Sequence, residues 1–173
     1  MLNPKLQEAL NKQINAELYS AYLYASMSAY FESLNLKGMA HWMRIQVQEE
    51  LAHVVRFYNF VNERHGRVLL TQIAAPKTEW KSVLEAFEDS FKHECMVSGL
   101  INELVNLAIA EKDHAANAFL QWFVNEQVEE EASVLAIVDK LKLVGDHGVA
   151  LFMIDNELLT RVMSATAMPA APV

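Results

Sequence analysis

A chain of 173 residues with 53% hydrophobic content can bury the core of one domain, and 14 Lys+Arg against 22 Asp+Glu leave a formal charge of -8. That balance argues against a nucleic-acid partner, which would need a basic face, and favours cationic ligands, metal ions included. The single cysteine, Cys95, cannot close an internal disulfide. The N-terminal residues Met1-Leu2-Asn3-Pro4-Lys5 lack a signal-peptide apolar region, and no apolar run approaches the ~20 residues that span a membrane, so a cytoplasmic chain with no membrane partner is expected.

Only 5 Gly and 4 Pro punctuate the sequence, which implies few, long elements. From Pro4 to about Leu34 there is no breaker, and Leu6, Leu10, Ile14, Glu17, Leu18, Ala21, Ala25 and Ser28 recur at helical spacing. The tight link Asn35-Leu36-Lys37-Gly38 leads into a second helix from about Met39 to Arg64, stopped at His65-Gly66; so short a link makes the pair antiparallel. Arg67 to Lys77, with Pro76, is not helical. Its ~13 residues can stretch ~40 Å, the length of a ~26-residue helix, so it can cross the whole bundle. Helices follow at about Ser82 to Glu111 and His114 to Val144, broken at Lys112-Asp113.

The expected fold is therefore all-α: a single domain over 1–173, with two antiparallel hairpins joined by one long crossover into a four-helix bundle over about 4–144. Gly145-Asp146-His147-Gly148 ends the fourth helix. A short, mostly apolar fifth helix is expected over about 148–163, either meeting other subunits or capping one end of the bundle, before a frayed tail at 165–173.

Within this frame, Glu50 and His53 lie three residues apart on one helix face and can grip the same ion. A carboxylate oxygen beside an imidazole nitrogen suits iron, manganese or zinc better than calcium or magnesium, although the same spacing also arises on solvated faces. Glu17 lies on a stripe with Ile14, Leu18, Ala21 and Tyr24. Glu94 lies amid Phe87, Phe91, Val97 and Ile101, and Gln127 and Glu130 belong to the run Asn125 to Glu131, of which Glu131 is expected to face solvent. Buried carboxylates on four helices need a shared cation or protons.

Together these residues resemble the bacterial non-haem ferritins, of the ferritin-like di-iron carboxylate family, over nearly the whole chain. Such bundles take one Glu from each of two helices and Glu-x-x-His from each of the others. Glu17 and Glu94 match the single glutamates, and Glu50-Leu51-Ala52-His53 matches one pair. The fourth helix departs, with Gln127 where a bridging Glu would stand and Glu130 in place of the second His, as in ferritins that pass iron onward. Ala52 stands where bacterioferritins place a haem-ligating Met, so no haem is expected.

The resemblance implies a di-iron ferroxidase centre: one iron on Glu17, Glu50 and His53, and one on Glu50, Glu94 and Glu130, with Gln127 hydrogen-bonding an iron-bound oxygen species. It also implies Tyr24 as an electron donor or hydrogen-bond partner, and a third iron site at Glu49, Glu126, Glu129 and Glu130. The implied activity is oxidation of ferrous iron by dioxygen, with hydrated ferric oxide stored inside a homo-oligomeric shell of 24 chains. A rubrerythrin-type peroxidase would carry a Cys-x-x-Cys domain, which one cysteine excludes. A DNA-protecting miniferritin lacks a fifth helix and fits the acidic balance poorly, and a metal-free helical scaffold leaves the inward carboxylates unexplained.

Overall fold

The computed structural model describes residues 2–145 and 147–164, which form α1 (Pro4–Ser33), α2 (Lys37–Glu63), α3 (Val83–Ala110), α4 (His114–Val144) and α5 (Gly148–Leu158). Each long helix starts where a cap is supplied. The Asn3 side chain accepts from Lys5 N at 2.8 Å, with Pro4 opening the helix where no amide hydrogen is needed. Ser82 accepts from Glu85 N at 3.1 Å, and Asp113 from Ala116 N at 3.0 Å.

Helix ends share one device. After α1, α2 and α3 the chain turns through Asn35, His65 and Lys112, all with positive φ. In each turn the next amide reaches back to the last helical turn: Leu36 to Phe31 O at 3.0 Å, Gly66 to Val61 O at 2.8 Å and Asp113 to Ala108 O at 2.9 Å. The stop expected at His65-Gly66 thus puts the left-handed conformation on His65 rather than on glycine.

α1 and α2 form one hairpin, α3 and α4 the other. The crossover between them is fastened along α1 by side chains at rising positions. Gln7 accepts from Arg67 N at 2.8 Å, Asn11 from Leu69 N at 3.0 Å, and Asn15 from Thr71 Oγ1 at 3.0 Å. Further on, Ser26 donates to Lys77 O at 2.7 Å and Tyr30 to Trp80 O at 3.0 Å. From residue 7 to residue 30 a helix rises ~35 Å, so the crossover traverses the bundle.

The interior divides into two apolar clusters. One, toward the α5 end, is built on Tyr24, Met27, Phe31, Met43, Phe87 and Val138; the other on Leu6, Leu10, Ile14, Phe57, Ile101 and Phe123. Ala25, expected on the buried stripe of α1, is exposed.

α2 begins two residues earlier than expected, with Gly38 inside its first turn, and has no side-chain cap of its own. The reason lies in α5. The Asp155 carboxylate accepts from Met39 N at 2.9 Å, and a Cβ on Gly38 would lie 1.6 Å from Asp155 O. α5 is therefore docked on the end of the bundle through Ile154, Asp155 and Leu158, while Val149, Phe152 and Met153 remain exposed. One face of this helix caps the bundle, as one of the two alternatives expected, and the other face is left uncovered. It also ends at Leu158, short of the expected 163. The tail at 165–173 lies outside the described residues.

Candidate metal centre

Between the two apolar clusters runs a belt of buried polar side chains: Gln13, Glu17, Ser20, Gln46, Glu49, Glu50, His53, Ser90, His93, Glu94, Glu126, Gln127 and Glu130. All four long helices contribute. Each group sits on its helix's apolar stripe, so packing the neighbouring turns carries it inward whether or not it gains a partner.

α1 and α2 bring Glu17, Glu50 and His53 together, with one ligand atom of each within 4.8 Å of the others. His53 Nδ1 lies 3.4 Å from Glu50 Oε2 and 3.9 Å from Glu17 Oε2. Glu17 Oε2, Glu50 Oε2 and His53 Nε2 are buried without a hydrogen-bond partner. Orphaned polar atoms in such a place are costly, and a cation satisfies the two carboxylate oxygens at once. The other Glu17 oxygen is held by Gln13 Nε2 at 2.8 Å, and the His53 ring is walled by Trp122 and Phe123 at 5.5 and 5.7 Å between centroids.

The remaining predicted ligands are held by neighbours. Glu94 Oε1 accepts from the Tyr24 hydroxyl, which itself accepts from Ser90 Oγ at 3.2 Å. Glu94 Oε2 accepts from Gln127 Nε2 at 3.2 Å. Gln127, expected to face an oxygen ligand, thus lends its donor to Glu94 and, more weakly, to Ser98. Glu130 Oε2 accepts from Gln46 Nε2 at 2.8 Å. A second group, His53, Glu126 and Glu130, also has ligand atoms within 4.8 Å, so His53 stands between the centre and an acidic cavity beside it.

That cavity, about 190 Å³, is lined by Glu49, Glu126, Glu129, Glu130, Ser133, Arg161, Val162 and Ser164. It gathers all four carboxylates expected of a third site, Glu129 being exposed and the other three buried. Glu131, expected in solvent, is instead half-buried and accepts from the Ser98 hydroxyl.

The electrostatics follow from the burial of several carboxylates beside one imidazole. Burial pushes Glu50 well above the usual carboxylate range, with Glu17 and Glu94 adding to it. Glu94 is pushed up to about 8 by burial and by the Glu130 charge, and Glu130 is raised by burial and by Glu49. For Glu17, burial is outweighed by the neighbouring His53 imidazole and by the Glu50 and Gln13 side chains, which leave it lowered. For His53 burial is outweighed by Glu17 and Glu50, which raise it. Burial, then Glu94 and Glu50, raise Tyr24. His93, next to Glu94, is lowered by burial to about 4, and its Nε2 lies 2.7 Å from Ser20 Oγ.

Sequence reasoning missed Gln13, Gln46 and Arg161. Gln13 and Gln46 each stand four residues before a candidate ligand on the same helix face, a signal that was present. Arg161 follows the fifth helix and carried none.

The ferritin-like domain family model matches residues 7–144. A bacterial non-heme ferritin from Bacteroides fragilis is 48% identical over 158 residues, 91% of this chain and 98% of the relative. One from Escherichia coli O157:H7 is 39% identical over 160 residues, 92% and 97% of the two chains. Among solved structures, an open pore ferritin from Archaeoglobus fulgidus superposes with a TM-score of 0.93 at 54% identity, covering 94% of this chain and 100% of that one. Among the described residues no helix is long and apolar enough to cross a membrane.

Proposed function

The chain belongs to the ferritin-like family, and on that footing we propose that it takes up ferrous iron at the buried belt, oxidises it with dioxygen and stores the product as hydrated ferric oxide. The observation that carries this reading is the meeting of Glu17, Glu50 and His53 within a buried polar belt fed by all four long helices, with one oxygen of each carboxylate left without a partner. Ferrous iron is here the substrate: each ion gives up one electron, dioxygen accepts them, and the ferric product hydrolyses with release of protons.

The chain's own residues supply binding, orientation and proton traffic. Gln13 fixes one Glu17 oxygen and leaves the other turned to the centre. Glu50, which feels the charges of both Glu17 and Glu94, would serve two ions, one with Glu17 and His53, which lie together, and one with Glu94 and Glu130, a set that rests on the family resemblance. Tyr24 and Gln127 hold Glu94 in place, as Gln46 holds Glu130. Because burial raises Glu50, Glu94 and Glu130 above the ordinary carboxylate range, cations entering the belt compete with protons for them, most clearly at Glu94. One imidazole in an otherwise oxygen-rich set favours the harder ferric product without binding it as firmly as a two-histidine centre, which suits onward transfer. The four carboxylates at Glu49, Glu126, Glu129 and Glu130 are the proposed third site.

The uncovered apolar residues of α5, Val149, Phe152 and Met153, support an assembly of like chains. The family resemblance puts the number at 24 and the chain in the cytoplasm. The test is to add excess ferrous iron in air to the apoprotein, separate it by size and measure iron per chain, beside the Glu50→Ala variant. Wild type should elute as a large assembly carrying far more iron than the carboxylate sites hold, and Glu50→Ala should assemble but lose fast oxidation. About two ions per chain in a small oligomer would instead indicate an enzyme with fixed metals, and an unchanged rate in Glu50→Ala would overturn the centre.

A further inference from the structure

The third-site cavity already contains a cation. Arg161, three residues past α5, reaches back so that Nη2 lies 2.6 Å from Glu49 Oε2 and also donates to Gln46 Oε1. Its guanidinium carbon stacks 4.1 Å from the centroid of Trp42, Nη1 donates to Trp42 O at 3.3 Å, and the Arg161 carbonyl lies 2.9 Å from the His41 ring. The other Glu49 oxygen accepts from Ser164 N at 2.8 Å. Both oxygens of a carboxylate only 2% exposed are thus engaged by one short segment, 161–164.

A metal ion arriving among Glu49, Glu126, Glu129 and Glu130 meets this arrangement twice. It must share Glu49 with a guanidinium that repels it, and it must compete with the Ser164 amide for the second oxygen. The bonds that seat Arg161 are built: a stacked indole, two carbonyl-type acceptors and a carboxylate, a donor pattern a planar guanidinium fits and an ammonium does not. Gln46 extends the connection, because its oxygen faces Arg161 while its amide donates to Glu130 at 2.8 Å. Arg161 thus also fixes the orientation of the group that holds a proposed di-iron ligand.

We propose that Arg161 is a tethered counter-cation of the acidic cavity: it fills the third site in the metal-free chain, and a metal ion binding there displaces it and lifts residues 161–164 off Glu49. This rests on the cavity being a cation site of the proposed ferritin function. Arg161 then sets how tightly the third ion is held relative to the first two, and couples its arrival to release of the C-terminal segment and of Gln46.

The experiment uses zinc, which cannot be oxidised, on the assembled full-length apoprotein. Calorimetric titration of wild type should resolve a weaker class of about one ion per chain beyond the tight ones, lost in Glu129→Gln. Arg161→Gln should tighten that weak class by about tenfold or more, with any change in the tight class smaller and confined to the ion that Glu130 serves, whereas Arg161→Lys, which keeps a charge, should shift the weak class less. In wild type, hydrogen exchange at the Ser164 amide should accelerate only as the weak class fills. An unchanged or weaker third ion in Arg161→Gln, no third ion in either protein, or undiminished Ser164 protection at saturation would overturn the proposal. Absence of the tight class would instead overturn the metal-centre reading. Should Arg161→Gln lose cooperative unfolding, the Ser164 exchange in wild type decides alone.

Discussion

Gly38→Ala is the substitution whose effect the structure fixes most tightly. In an ordinary helix interior the change stabilises by up to about 1 kcal/mol. Here the new Cβ would lie 1.6 Å from Asp155 O and 2.5 Å from Asp155 C, and both are backbone atoms that no rotamer change can move. Ordinary contact begins at 3.4 Å, so α5 and α2 must separate by about 1.8 Å. That separation breaks the 2.9 Å cap from Asp155 to Met39 N, a loss of about 1 kcal/mol. It also loosens Ile154 and Leu158, now 6% and 8% exposed, each contributing up to about 2 kcal/mol when buried. Set against the helix gain, the net destabilisation of α5 docking is about 2 to 4 kcal/mol. Hydrogen exchange read by mass spectrometry over 148–158 measures it directly, since the opening free energy of α5 should fall while α1 to α4 keep their protection. Asp155→Ala should reproduce only the cap loss. Unchanged protection of α5 in Gly38→Ala, or a rise in stability, would refute the docking.

Three further outcomes follow from the same geometry. Unfolded, Glu94 titrates near 4.5; folded and metal-free, near 8. Its contribution to apoprotein stability is therefore present below about pH 4.5 and lost as the pH climbs to about 8, while zinc affinity of the centre should rise over the same window by up to about tenfold per unit for each proton displaced, which titrations in buffers of different ionisation enthalpy would count. A pH-independent affinity would contradict the buried, protonated carboxylates. Tyr24→Phe removes the hydroxyl that donates to Glu94 and should weaken zinc binding by about tenfold at neutral pH without unfolding the chain. Lys112→Gly relieves a left-handed lysine at φ 55° and should stabilise the α3–α4 hairpin by about 0.5 to 1 kcal/mol in exchange measurements.

The helices, their pairing and the inward carboxylates are all legible in the order of the residues. Helical periodicity fixes which residues share a face, so Glu17, Glu50, His53, Glu94, Gln127 and Glu130 could be placed on the inward stripes before any coordinates. Link lengths fix which helices are neighbours, and a crossover able to span the bundle left one arrangement of two hairpins. What spacing does not encode is direction within the belt. Whether Gln127 offers its amide to Glu94 or elsewhere, and whether Glu131 faces water or Ser98, depends on which donors the opposite helix presents at van der Waals range.

The contacts of longest sequence separation emerge only in the folded chain. Asp155 caps a helix that starts 118 residues earlier, at Lys37, and Arg161 answers a carboxylate 112 residues away. Neither bears any periodic relation to its partner. A polar group finds its counterpart there because α5 folds back across the bundle's end, and closing so long a loop is favourable only once the four-helix core exists to receive it.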